Sequence, residues 1–353
     1  MALKLVANPP NPYATEHREW LGEPPAAQVE VYEETAKSIL TENDSPDIPF
    51  RWSINPYRGC QHACAYCYAR PYHEYLGYGA GTDFDTKIVA KVNAAQVLRE
   101  ELQRRAWARE WICFSGVTDC YQPMEAAYKL TRGCLEACHD FGNPVSIITK
   151  GYLIVRDVEL LAELHRVAGA QVYVSIAFAD DATAKLIEPQ VPPPSRRFEV
   201  VRRLADAGVP VGVMVAPIIP GLNDSDIPAI ILRAVKSGAR SAGYTALRLP
   251  GSVSPVFMER LRSALPLRAE RVEARIREMR GGRLNDSRFG DRMRGDGEYW
   301  KSIKQLFDSS LKKYGLADLP TQSATRDGMP RLSVLPPEPK QPKLTQLTFR
   351  FGE

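Results

Sequence analysis

The chain has 353 residues, 44% apolar and 25% charged, with a formal net charge of +4. That is an ordinary balance for a folded protein, with room for one barrel-sized core plus extensions, and it excludes a wholly disordered or collagen-like chain. The start, Met-Ala-Leu-Lys-Leu-Val-Ala-Asn-Pro-Pro, lacks the apolar core of a secretion signal. No later run approaches the roughly 18 apolar residues needed to cross a bilayer, so no membrane is expected and a cytoplasmic location is.

Residues 1–50 are rich in proline and acid and read as an N-terminal extension, with a short helix expected near Val29 to Leu40. From there to about residue 250, short apolar runs alternate with stretches of helical period. Strands are expected at Arg51–Pro56, Trp111–Ser115, Val145–Thr149, Val172–Ile176, Val211–Pro217 and Ser241–Leu249. Helices are expected between them at Asn93–Arg109, Glu125–His139, Val158–Val167, Ser195–Ala207 and Ser225–Ser237. Runs apolar along their whole length suit strands buried on both faces, and the alternation predicts an α/β fold of parallel units. Six unclosed units make a partial (β/α)6 barrel, similar to an incomplete TIM barrel, over residues 51–250. Residues 251–317 change to a helical, arginine-rich extension, with helices expected at Pro255–Arg280 and Glu298–Tyr314. Residues 318–353 carry six prolines before residue 345 and read as an extended tail.

The run Gly59-Cys-Gln-His-Ala-Cys-Ala-Tyr-Cys-Tyr68 places Cys60, Cys64 and Cys67 in C-x-x-x-C-x-x-C spacing just after the first expected strand. Thiolates this close can share one inorganic centre. A four-iron, four-sulfur (4Fe-4S) cluster normally takes four cysteines, so three leave one iron open to a small molecule. The alternative is a zinc site with His62 or His73 as fourth ligand, in a non-enzymatic module that binds nucleic acid. Seven cysteines in all, an odd number, argue against a disulfide framework. Cys134 and Cys138 share the apolar face of an expected helix and Cys113 lies in an apolar strand, which favours core packing over a second cluster.

The triplet, with Tyr68 beside its last cysteine, resembles the signature of the radical S-adenosylmethionine (SAM) superfamily. Such a resemblance implies a 4Fe-4S cluster whose open iron binds SAM, reductive cleavage to a 5′-deoxyadenosyl radical, and an electron donor such as flavodoxin or ferredoxin. Further pieces resemble spore photoproduct lyase and its DNA repair photolyase-like relatives: Val-Thr-Asp119, Ile-Thr-Lys150, Tyr-Val-Ser-Ile176, the arginine following Glu188-Pro189, and Val-Ala-Pro-Ile218. The resemblance implies that Tyr68, Lys150, Ser175 and Ala216 lie against SAM, with Arg197 a further contact. Ser115, Thr118 and Asp119 occupy the place of the superfamily's second-strand motif, where exposed backbone groups and the Asp119 carboxylate suit an ammonium. The lyase's hydrogen-donating cysteine is absent, since Gly116 stands in its place. Cys120 or Tyr121 is the candidate to return a hydrogen atom, and thymine-dimer splitting is in doubt.

Between residues 260 and 294 stand eleven arginines against five acids, a local surplus on a near-neutral body. This pattern suits a polyanion-binding surface. Glycines free the stretch from 281 to 297 to follow a ligand, so Arg283, Arg288, Arg292 and Arg294 are candidate nucleic-acid contacts, with Phe289 or Trp300 available to stack on an unpaired base. The plainer alternative, a solvated helix face laced with ion pairs, suits residues 268–280. Gln346-Leu-Thr-Phe-Arg-Phe351 resembles the motif that docks bacterial repair proteins on the DNA sliding clamp. The expectation is therefore a radical SAM enzyme acting on nucleic acid, DNA foremost. RNA or a small phosphorylated metabolite is the nearest alternative.

Overall fold

In the computed structural model the described residues are 9–13 and 28–318. Among them are eleven strands: β1 (Glu30–Glu34), β2 (Leu40–Glu42), β3 (Trp52–Ile54), β4 (Tyr57–Arg58), β5 (Lys87–Lys91), β6 (Ile112–Phe114), β7 (Val145–Thr149), β8 (Ala170–Ser175), β9 (Val211–Ile218), β10 (Ser241–Ala246) and β11 (Ala317–Asp318). The large sheet runs β2-β3-β6-β7-β8-β9-β10-β11. Its six central strands, β3 to β10, are parallel and in chain order, the arrangement of a partial (β/α)6 barrel. β2 pairs antiparallel with β3 at one edge, and β11 adds a parallel strand at the other. Strand interiors are dry: Ile112, Phe114, Val145, Ile147, Val172 and Val213 are fully buried. Burying each such side chain contributes about 1.5–3 kcal/mol, which holds the parallel register despite its long crossovers.

Helices Ala94–Leu102, Leu130–Asp140, Val158–Val167, Pro194–Asp206 and Ile227–Lys236 lie between successive barrel strands and present their apolar faces to one continuous core. The expected helix 125–139 is broken at Lys129, whose φ of 53° ends one short helix and starts the next. The expected helix 255–280 is likewise two, Val253–Ala264 and Pro266–Met279, because Pro266 cannot donate a helical hydrogen bond and opens the second. Helix Glu298–Tyr314 matches its expected span and carries Trp300 and Phe307 into the core.

The expected helix at Val29–Leu40 is absent. Glu30–Glu34 is a strand in a second, three-stranded sheet of order β1-β5-β4, paired parallel with Lys87–Lys91. Val31 and Tyr32 favour extended backbone, and pairing to a distant strand outweighs a weak helical period. The clamp-like segment 346–351 lies outside the described residues.

Candidate active site

The cysteine loop starts where β4 ends. Gly59 adopts φ +74°, and a Cβ there would stand 2.8 Å from the Lys87 carbonyl oxygen and 3.0 Å from that of Phe84. Only glycine fits this turn without strain. Its neighbour Cys60 donates its backbone N–H to Phe84 at 2.9 Å. Gln122 pins the loop from outside, its amide donating to the Gly59 carbonyl and accepting from the Gln61 N–H. Arg70, 1% exposed, wraps the same loop: its guanidinium donates twice to the Cys64 carbonyl, to the carbonyls of Ala80 and Gly81, and to Asp85.

Cys60 and Cys64 are buried and Cys67 is half-buried. Burial pushes all three thiols up, and mutual repulsion adds to the rise: Cys60 feels Cys67 and Cys64, and Cys64 feels Cys67. Lys150 opposes this at Cys64 and Cys67, and Arg70 opposes it at Cys67. Three cysteines in one short loop, with Lys150 and Arg70 offsetting charge at two of them, fit the thiolate chemistry a cluster takes. No group of three or more His, Cys, Asp or Glu among the described residues is placed to hold a single metal ion. His62, in the loop, meets Asp119, and His73 is buried between Tyr78 and Phe84.

The loop after β6 packs directly against the cysteine loop, the Tyr68 hydroxyl donating to the Gly116 carbonyl. Ser115 and Gly116 both have positive φ, 97° and 139°, which turns the chain sharply at the strand end. Asn55 accepts from the N–H groups of Val117 and Thr118, and the Thr118 hydroxyl donates to the Tyr57 carbonyl. Asp119 is the junction of three loops. It accepts from the Tyr121 N–H at 2.9 Å, the Thr149 hydroxyl at 2.6 Å and the Lys150 N–H at 2.7 Å, and pairs with His62 at 3.3 Å. Burial would raise its carboxyl, but His62 and these donors outweigh that and hold it at about 2. These four contacts tie the ends of β6 and β7 to the cysteine loop.

Lys150, just past β7, holds its amine 5.7 Å from the Tyr66 ring. Ser175 ends β8 and is buried; Ala216, near the end of β9, is half-buried. These strand ends, with Tyr68, put the residues expected against SAM on one rim of the sheet. Arg197 is more deeply set. Its guanidinium donates to the carbonyls of Pro192 and Ser175 and to Glu188, which also accepts from the Tyr66 hydroxyl. Cys120 is fully buried, and Tyr121, 1% exposed, donates its hydroxyl to Asp157 at 3.1 Å. Tyr121 also borders a cavity of about 330 Å³ beside the cysteine loop, shared with His62, Tyr152 and Val191. Cys113, Cys134 and Cys138 are buried in or beside the apolar core, as expected.

The arginine-rich loop is ordered around Arg280, 3% exposed, whose guanidinium donates to the carbonyls of Leu247, Asp291, Arg292 and Arg294. Arg292 pairs with Asp47 of the N-terminal extension, and the Gly290 N–H donates to the same carboxylate. Arg283 and Arg288 keep about two thirds of their side chains exposed while pairing with Asp286. Phe289 is 61% exposed, with the Arg292 guanidinium 4.4 Å from its ring centre. Trp300, the other expected stacking residue, is buried against Gly295 and cannot meet a base. Residues 262–278 carry the expected ion pairs, such as Arg277 with Glu273.

One functional candidate carried no sequence signal. Arg248, just past β10, lies 5.5 Å from the Tyr68 ring, joining the last barrel strand to the cysteine loop. A single arginine between Leu247 and Leu249 has no spacing to mark it.

A partial parallel barrel with three cysteines at its mouth defines a class of enzyme that generates radicals from SAM. The superfamily's sequence profile, described as Radical SAM superfamily, matches residues 54–234, and the chain belongs to that superfamily. Its cofactors are accordingly a 4Fe-4S cluster and SAM. An uncharacterized protein of Mycobacterium tuberculosis is 40% identical over 238 residues, covering 67% of this chain and 70% of its own. Another, from Methanocaldococcus jannaschii, is 30% identical over 198 residues, covering 56% of this chain and 71% of its own. Among solved structures, spore photoproduct lyase complexed with dinucleoside spore photoproduct superposes with a TM-score of 0.57 at 16% identity, over 82% of this chain and 81% of that one. The fold is thus similar to that of the lyase. No helix among the described residues is long and apolar enough to cross a membrane.

Proposed function

We propose that this radical SAM enzyme acts on nucleic acid, with DNA the leading substrate, in a repair or modification reaction. The observation that carries the reading is the position of the arginine-rich loop: the Ala246 N–H donates to the Met293 carbonyl, so the loop hangs from the sixth barrel strand beside the mouth. Exposed Arg283 and Arg288 there suit phosphates, and Phe289 suits an unpaired base. The similar lyase fold accommodates a dinucleoside lesion.

When bound, the cluster and SAM supply a 5′-deoxyadenosyl radical. The chain's own part is to hold and aim. Cys60, Cys64 and Cys67 would hold the cluster, and Lys150, Ser175, Ala216 and Tyr68 would hold SAM. Lys150 suits the carboxylate of the amino acid, and the backbone turned outward at Ser115 to Thr118 suits its ammonium. Asp119 and Arg197 keep those strand ends in register. Hydrogen return by the sealed Cys120 requires the loop after β6 to open, whereas Tyr121 already borders the cavity; full turnover by both Cys120→Ser and Tyr121→Phe would remove that role.

The test is anaerobic reconstitution, dithionite and SAM, with 5′-deoxyadenosine as the first readout and deuterium transfer from labelled DNA, RNA and nucleotides as the second. Label exchange with oligodeoxynucleotides is expected. Exchange with RNA alone, or with mononucleotides alone, would replace the DNA reading.

A further inference from the structure

The short helix after the cysteine triplet, Pro71–Glu74, is flanked by tyrosines that face solvent. Tyr68, Tyr72 and Tyr75 follow one another at helical spacing and are 43%, 51% and 65% exposed. Tyr13, 62% exposed, extends the row: its ring centre is 4.8 Å from that of Tyr75 and its hydroxyl donates to the Tyr75 hydroxyl at 3.2 Å. Asn11 straps this segment down by donating to the carbonyls of Glu74 and Tyr78. Tyr72 and Tyr75 stand 6.4 Å apart with their planes at 50°, which fits two separate platforms better than one closed pair. Three exposed aromatic rings in contact, with Tyr68 one helical turn before them, mark a binding face.

At its inner end the row meets positive charge. Arg248 lies over Tyr68, and its Nε is buried without a hydrogen-bond partner. The acid in its electrostatic reach, Asp47, is already taken by Arg292 and the Gly290 N–H. Arg248 also donates to the Met293 sulfur at 3.6 Å, so it joins Tyr68, at the inner end of the row, to the arginine-rich loop. This junction lies across the seam where the first and sixth barrel strands fail to close, bridged by Ser252 donating to Glu74. A protein partner would also favour tyrosines, but the Arg248 guanidinium at the inner end, whose one side-chain hydrogen bond goes to the Met293 sulfur and not to a carboxylate, favours an anion. Aromatic faces in series leading to a guanidinium match an unpaired strand, whose bases stack and whose backbone is anionic.

We propose that Tyr13, Tyr72 and Tyr75 form a stacking track for single-stranded nucleic acid and that Arg248 takes a backbone phosphate at the mouth, so that the substrate enters unpaired and without strong sequence preference. This rests on the nucleic-acid reading above and narrows it to strands whose bases are free to stack.

The experiment measures anisotropy of a fluorescein-labelled oligothymidylate, and of an abasic strand of equal length, with the reconstituted full-length enzyme. Tyr72→Ala and Tyr75→Ala should each weaken oligothymidylate binding about tenfold while leaving the abasic strand unaffected. Tyr75→Trp should keep the affinity, which separates stacking from damage to the fold. Arg248→Gln should weaken both strands and lower the salt slope by about one. Alanine variants within twofold of wild type, or equal wild-type affinity for both strands, would overturn the track. If wild type cleaves SAM but binds neither DNA nor RNA, the broader reading fails and the track with it. Capture of a protein by this face in place of a strand would also refute the proposal.

Discussion

Replacing Arg197 with methionine tests whether its guanidinium holds the floor of the site through charge. The side chains of Arg197 and Glu188 are 1% and 0% exposed, and Tyr66 and Lys150 are the other groups that favour the Glu188 carboxylate. Burial would raise the Glu188 carboxyl, but Arg197 and these neighbours outweigh it, so its pKa lies below the ordinary value. Such a group adds stability above the unfolded pKa, and that stability is lost as pH falls through the folded one. Breaking a buried pair costs about 3–5 kcal/mol. Part of this, about 1–3 kcal/mol, comes from stranding the Ser175 and Pro192 carbonyls and does not depend on pH. The rest is carboxylate and does. In the variant Glu188 can escape by taking a proton, which costs about 5 kcal/mol at pH 8 but only about 1 kcal/mol at pH 5. Urea unfolding of the reconstituted protein should therefore show a penalty that shrinks by about 2 kcal/mol between pH 8 and pH 5. Adding Glu188→Gln, which keeps an acceptor for Tyr66, should recover that part at pH 8 and leave the carbonyl part. A penalty equal at both pH values, or a double variant no more stable than the single, would refute the charge argument.

Gly59→Ala should lower iron and sulfide per chain and destabilise the fold by about 2 kcal/mol or more, since positive φ and two backbone carbonyls both oppose a Cβ. Normal loading, measured by absorbance near 400 nm with iron analysis, would show that the turn before Cys60 is not rigid. His73 is predicted to drive acid unfolding, because burial lowers it from 6.5 to about 4. Its contribution is present above pH 6.5 and is lost as pH falls toward 4, about 3 kcal/mol in all. His73→Gln should flatten that limb of the stability curve, and an unchanged limb would assign it elsewhere.

Barrel strands were readable where they are short runs largely buried on both faces, so that local composition and tertiary position agree, as at Val145–Thr149 and Val211–Ile218. The cysteine spacing was readable because ligand chemistry restricts it directly. β1 was not readable. Its residues Glu30-Val-Tyr-Glu-Glu34 are largely exposed, and what makes them a strand is the pairing of Glu30 with Lys87, far along the chain. The roles of the buried arginines were not readable for a related reason. Charge is visible in the sequence, but the carbonyls that satisfy Arg70, Arg197 and Arg280 come from separate loops that only the folded chain assembles.

Cluster loop, strand ends and arginine-rich loop each have a local signature, yet the contact that joins them, Arg248 against Tyr68, links residues on the first and last sides of the barrel. A six-stranded parallel sheet leaves those sides unpaired to each other, so loops rather than a strand ladder bridge the gap. Loops that bridge can also part. A wide substrate is thus best admitted at this seam, where entry costs a few side-chain contacts and no backbone ladder. The residues that set which substrate enters should accordingly be sought in Tyr72, Tyr75 and Arg248 before the barrel interior, whose dry strands answer to packing.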